Sequence, residues 1–499
     1  MNSIRDQEAS IGRHNDLELH DIRHEADSTS GIARLERTDA PSLHSGTESR
    51  RSAQHRRRAI LTVLASFVLT FTGCGLNFAF GVYQELYETL PGPFAHASPG
   101  TIDLIGTLAA SLMTIGAPLA SAWTKVYTPR TVTLIGGTLL LLANTLASLS
   151  TQLWHFLLAQ GVLLGCATCL SYIPAVTIAP GWFDARRGLA MGIILSGTGV
   201  GGVVWAPALR ALNAAIGFRN TLRLTGGIGF ALVSAAAMAL EWDPASAARI
   251  AAERPSPPSR RPARRSRLFP ALRSTLRTRI PLVNWRIANS RLFVAEAAGA
   301  ALQAAAYYTP VYFFSSYARS LGYSAAAGAS FIAASNASSA VGKVLLGYTA
   351  DRAGRLNTLL FCTLVSAATA LGLWFPSTRA GQEGEGEGEG EGFGGNDRAR
   401  ALFVAFAVLY GVFAGAYVSL FPTVLVELFG VQNFASVNGF LYMVRGFGTL
   451  LGTPVAGALI HSAGEYAKSS VMVGALLAAA TVSVLWVRLE VGGVGRWKA

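Results

Sequence analysis

Charge is scarce in this chain. Only 14% of its 499 residues are Asp, Glu, Lys or Arg, against about 25% in soluble domains. Acid is the scarcer sign, with 28 Asp and Glu against 41 Lys and Arg, a net charge of +13. Cysteine is nearly absent: Cys74, Cys166, Cys169 and Cys362 all fall inside apolar runs, which excludes an extracellular disulfide framework. Cys166 and Cys169 make a CxxC with no second ligand pair, a structural reading in an apolar helix. No GxxxxGK[ST] loop is present, so a nucleotide-driven pump is excluded. There is no Ser-His-Asp or metal-ligand set. Five of the eight histidines lie before residue 59, and His155 and His461 read as surface residues. No enzyme activity, metal or cofactor is therefore expected.

What is abundant is apolar sequence: 51% hydrophobic residues and a mean hydropathy of +0.39. Twelve runs are each long enough to cross about 30 Å of hydrocarbon: 59–83, 101–123, 131–150, 153–179, 187–209, 222–242, 289–316, 325–350, 356–376, 401–426, 434–460 and 469–489. Backbone groups in lipid must be satisfied within the segment, so these are helices. The expected fold is an all-α polytopic membrane protein with twelve transmembrane helices in two six-helix halves. The divisions are a disordered cytoplasmic tail (1–58), an N-terminal half (59–242), a basic cytoplasmic linker (243–288), a C-terminal half (289–490) and a short cytoplasmic tail (491–499).

Orientation follows from Lys and Arg. With both termini inside, thirty-one of the 41 fall on the inner side and eight on the outer, while Lys343 and Arg445 lie within spans. That bias places both termini in the cytoplasm, and the plasma membrane is the expected location, with a vacuolar or other internal membrane as the alternative. The basic residues then face a lipid surface rather than nucleic acid. Within the linker, Leu268–Ile280 reads either as an amphipathic piece on the inner leaflet or as solvated chain. The Glu-Gly run at 381–395 reads as a flexible spacer; a metal role for Glu383 to Glu391 is the weaker reading.

The halves echo one another. The fifth run contains SGTGVGGVVWAP (196–207) and the eleventh RGFGTLLGTPVAG (445–457), small residues that let helices approach closely. After the eighth run comes GYTADRAGR (347–355). This resembles the G-x-x-x-D-R-x-G-R loop motif of the major facilitator superfamily. WFDARRGLAMGIILSGTGVGG (182–202), NFAFGVYQELY (77–87) and YARSLGYSAAAGASFIAASNASSAVGKVLLGYTADRAGRLN (317–357) resemble the monocarboxylate transporter-like branch in its fungal form. The resemblance implies transport by alternating access, with gating roles for Asp351, Arg352 and Arg355. The loop between the second and third runs keeps Gly116, Lys125 and Arg130 but no Asp-Arg pair. A conformational latch is thus expected mainly on one side.

Ionisable groups in mid-membrane are costly and mark function. Three stand within runs: Glu296, Lys343 and Arg445. Asn336, Ser339, Lys343 and Gly347 share a helical face. Lys343 stands where the resemblance places a carboxylate-binding arginine, and Ser339 where it places a proton-coupling aspartate. The lysine it places late in the first run is also missing. Lys343 reads either as an anion-binding point charge or as a structural lysine. Asn438, Tyr442, Arg445 and Thr449 form a polar stripe that faces the cavity or a neighbouring helix. Glu296 reads as a gate or packing pair, with Arg445 as a candidate partner, and is the in-span candidate for a proton carrier. Asn77 is a cavity candidate. Tyr410 and Tyr417 either stack on a planar substrate or pack in the core.

The expected substrate residues are therefore Lys343, Arg445, Asn77, Asn336 and Tyr442; the coupling or gating residues are Glu296, Asp351, Arg352 and Arg355. The expected function is secondary active or facilitative transport of a small organic molecule, carboxylate or secondary-metabolite-like, with proton coupling through Glu296 left open. The alternatives are a non-transporting sensor on the same scaffold, or an importer of short monocarboxylates or riboflavin.

Overall fold

The computed structural model describes residues 42–88, 99–253, 283, 285–386, 393–460 and 466–492. Met1–Arg58 and Ala59–Ala499 form separate units. Residues 42–58, expected as unfolded tail, are helical within Ser42–Leu69. An apolar helix that follows has already met the cost of nucleation, so adjoining Arg, Gln and Ser extend it cheaply. Residues 1–41, Leu268–Ile280, His461, residues 387–392 of the Glu-Gly run and the last seven residues lie outside the described residues. Residues 381–386 continue the helix Phe375–Gly386 instead of starting a spacer.

The spans, in chain order, are α1 (Ala53–Tyr87), α2 (Thr101–Ile115, bent by 45° into Ala117–Val126), α3 (Pro129–Leu149), α4 (Leu153–Trp182), α5 (Arg187–Ile216) and α6 (Phe218–Ala239). The second set begins with α7 (Arg291–Ser320) and α8 (Ala325–Ala353). Then follow α9 (Arg355–Gly381), the helix Asp397–Ala458 and α12 (Tyr466–Gly492). Asp397–Ala458 is two rods, α10 and α11, joined at Gly430, whose φ of 76° a side chain would resist. Among the described residues, eight helices are long and apolar enough to cross a membrane, or nine with the bent α2. One of those is the α10–α11 pair, and α7 and α8 supply the remaining rods, their apolar runs diluted by Glu296, Gln303, Asn336 and Lys343. Starts are set locally: Thr128, Ser290 and Ser324 each accept a hydrogen bond from the backbone N–H three residues on.

Packing follows the small residues. α5 lies against α8 and α1, and α11 against α2 and α7. A Cβ built on Gly188 would stand 2.5 Å from the Gly347 carbonyl oxygen, and one on Gly448 2.5 Å from that of Ala301. Only glycine allows these backbones to meet. One apolar cluster contains Tyr172, Met191 and Ile194 from α4 and α5 together with Tyr417, Phe421 and Tyr442 from α10 and α11. The two sets of six helices therefore share a core at the end where α5 begins and α8 finishes.

Candidate functional site

At that end a carboxylate bridges the halves. Asp351, on the last turn of α8, accepts from Gly188 N–H through Oδ1 and from Leu189 N–H through Oδ2, both at 2.8 Å. These are among the first N–H groups of α5, which have no partner within their own helix. The positive end of the α5 dipole adds to the attraction. Arg355 holds the carboxylate in place. Its Nε donates to Asp351 at 3.2 Å and its Nη2 to the Asp184 carbonyl at 3.0 Å. Its Nη1 stands 3.8 Å from Glu427 at the foot of α10. Arg352 takes no part: it is exposed, over the Tyr348 ring at 4.3 Å. The turn between α2 and α3 offers no equivalent acid, and its Arg130 pairs with Glu241 inside the first half.

Deeper in the bundle, Lys343 is 2% exposed and donates to Thr198 Oγ1 of α5 at 2.6 Å. Asn336, on the same face of α8, is buried against Gly202, and its Nδ2 has no hydrogen-bond partner among the described residues. Arg445 is caged by three rings, its guanidinium 5.3 Å from Tyr417, 5.1 Å from Phe421 and 5.8 Å from Tyr442. Its Nη1 is buried without a hydrogen-bond partner among the described residues. Tyr442 reaches across the halves to Tyr172 of α4, hydroxyl to hydroxyl at 3.2 Å. The polar stripe of α11 thus faces protein, with Thr449 donating to the Ala304 carbonyl of α7 at 3.4 Å.

Glu296 is 1% exposed, and neither carboxylate oxygen has a hydrogen-bond partner among the described residues. Among the described residues it makes no ion pair with Arg445. Tyr417 lies within electrostatic reach of both. Tyr410 packs in the core, its ring tilted 44° to that of Phe406, and donates to the Tyr307 carbonyl at 3.2 Å. Asn77 points into the first half. Its Nδ2 is 3.5 Å from Thr168 Oγ1, and it borders a small crevice with Tyr83, Asn144 and Gln160.

The opposite end is open. A cavity of ≈ 360 Å³ lies between the halves, bordered by Phe78, Gln84, Glu85, Asp103, Tyr312 and Arg319 among others. Phe78, one of its lining residues, stacks on Tyr308 with centroids 5.9 Å apart. Lys343, Arg445, Asn336 and Tyr442 are not among its lining residues. Sequence reading missed Thr198, Tyr172 and the Phe78–Tyr308 pair. Each is an ordinary residue of an apolar run, and only the pairing across halves makes it notable.

One end latched, the other open, with two six-helix halves between, is the geometry of an alternating-access carrier. A family model described as Major Facilitator Superfamily matches residues 59–381. The chain belongs to the major facilitator superfamily. Among curated relatives, the agnestins efflux protein of Paecilomyces divaricatus is 27% identical over 88% of this chain and 89% of its own. Human monocarboxylate transporter 11 is 28% identical over 80% of this chain and 78% of its own. The crystal structure of the human organic anion transporter MFSD10 aligns with a TM-score of 0.57 at 16% identity. That alignment covers 86% of this chain and 99% of the other. As a superfamily member the chain is a multi-pass membrane protein that transports a small organic molecule, and it is not an enzyme.

Proposed function

We propose that the protein carries a carboxylate-bearing organic metabolite across the plasma membrane by alternating access, with both termini in the cytoplasm. The observation behind this is a pair of buried cations, Lys343 and Arg445, with no carboxylate paired to either among the described residues. A buried charge without a counter-ion is costly, and an incoming anion offsets that cost. The substrate is thus assigned to Lys343 as a point charge and to Arg445 as a fork for carboxylate oxygens. Asn336, with a free amide donor in the same buried layer, and Tyr442 complete the proposed site. Asn77 supports the first half instead.

In this topology the latched end is cytoplasmic and the cavity opens outward. The Lys and Arg bias supports that orientation. Asp351 and Arg355 form the inner latch. Glu296 is the proposed proton carrier, since among the described residues its carboxylate is buried in the bundle core with no hydrogen-bond partner. The names of the relatives, an efflux protein and a monocarboxylate transporter, favour organic acids of metabolite size. Alternating access is reversible, so the gradient sets direction.

The test is flux in sealed proteoliposomes containing the full chain. Radiolabelled aromatic or aliphatic carboxylates are expected to cross saturably, while the corresponding primary alcohols are not. Saturable flux of the alcohols with none of the acids would overturn the assignment of Lys343 and Arg445.

A further inference from the structure

The wall of the open cavity has a particular shape. Phe78 of α1 and Tyr308 of α7 stack across the boundary between the halves, with planes 25° from parallel. Tyr308 stacks in turn on Tyr312, centroids 5.7 Å apart and planes 27° from parallel. Phe78, Tyr312 and Phe313 border the cavity. The rim charges cancel: Glu85 and Arg210 pair at 2.9 Å, and Asp103 and Arg319 add one of each sign. The mouth therefore holds no net charge with which to collect an anion. What it presents is a ladder of near-parallel rings, built from both halves and ending at open space.

We infer that the substrate is a planar aromatic acid, a fused or extended aromatic body bearing a carboxylate, and not a short aliphatic one. This rests on the proposal that the cavity is the substrate's entry. Aliphatic walls bind any apolar body, whereas near-parallel ring faces favour a flat one that adds a rung by offset stacking. Size agrees. The ≈ 360 Å³ of space falls in the range of about 300–1,000 Å³ typical of pockets that enclose drug-sized ligands. A lactate-sized acid would touch one wall and leave the rest to water. The two recognition elements are separate in the fold, with rings at the mouth and cations in the buried layer. Body and carboxylate are consequently read by different residues.

Equilibrium binding of radiolabelled 2-naphthoate to the purified full chain in lipid nanodiscs tests this. The competitors are decahydro-2-naphthoate, which has the same carbon skeleton and charge but is not planar, lactate, and neutral 2-naphthalenemethanol. Unlabelled 2-naphthoate is expected to compete about tenfold better than its decahydro form, the scale of an added stacking contact. Phe78→Leu and Tyr312→Leu should each shrink that preference, while Phe78→Tyr and Tyr312→Phe retain it. Lys343→Ala and Arg445→Ala should erase discrimination against the alcohol but leave the planar preference. Equal competition by 2-naphthoate and its decahydro form overturns the inference, as does failure of 2-naphthoate to bind. A planar preference with acid and alcohol bound equally overturns only the anion assignment. The wild-type comparison decides the matter even where a variant fails to fold.

Discussion

Asp351 Oδ1 accepts the Gly188 N–H at 2.8 Å, and the two residues belong to opposite halves of the bundle. A side chain at the end of α8 thereby caps the start of α5, so the closed end is held through a helix terminus. Arg355, bonded to both Asp351 and the Asp184 carbonyl, ties the turn before α5 to α9 as well. The mirror-related turn lacks an acid, so this single contact set carries an asymmetric load.

Asp351→Ala should release that end. It removes two charge-assisted hydrogen bonds, each worth about 1.5–3 kcal/mol when buried. Even partial loss shifts the balance between states tenfold or so. The measurement is maleimide labelling in a background with Cys74, Cys166, Cys169 and Cys362 replaced. Thr177→Cys, buried at the latched end, should react faster in Asp351→Ala, and Ser315→Cys, at the cavity wall, more slowly. Unchanged rates at both positions would remove Asp351 from the latch.

Much of this was legible in the chain itself. The twelve apolar runs correspond to the twelve rods because lipid leaves the backbone little choice. The motif around Asp351 and Arg355 was readable because a short loop concentrates its chemistry in adjacent residues. The site was harder. Lys343 and Arg445 stand out as charges in apolar sequence, but nothing in sequence says that Thr198 meets one and an aromatic cage the other. Those partners come from other helices, and their residue types are common in any span. Asn77 shows the opposite failure, since a polar residue on a helical face has two sides of a bundle to choose from. Arg352 shares its motif with Arg355 but lies one residue from the turn and points outward over Tyr348.

Lys343→Ala and Arg445→Ala should each reduce carboxylate flux at least tenfold while the protein still reaches the membrane. Losing one ionic partner of a buried anion costs about 3–5 kcal/mol. Arg445→Lys is expected to rescue poorly. Lysine cannot lie flat among Tyr417, Phe421 and Tyr442 or bind a carboxylate in a fork. Wild-type flux with Arg445→Ala would mean that the cage is structural. Surface biotinylation separates lost transport from lost targeting.

Glu296→Gln addresses proton coupling. The substitution keeps the shape and removes the ability to change charge. If Glu296 carries the proton, each anion moves inward with one proton. Lowering the external pH from about 7.5 to 5.5 raises the inward driving force on protons, and should then speed wild-type uptake and oppose efflux. The Gln variant should show flat net flux over that range and fail to accumulate substrate against a gradient. It should still exchange labelled for unlabelled substrate, because exchange moves no net proton and asks only that the halves rock. That pairing separates a coupling residue from a structural one: a misfolded protein loses exchange too. Net uptake in Glu296→Gln that keeps the wild-type pH dependence would place the proton elsewhere.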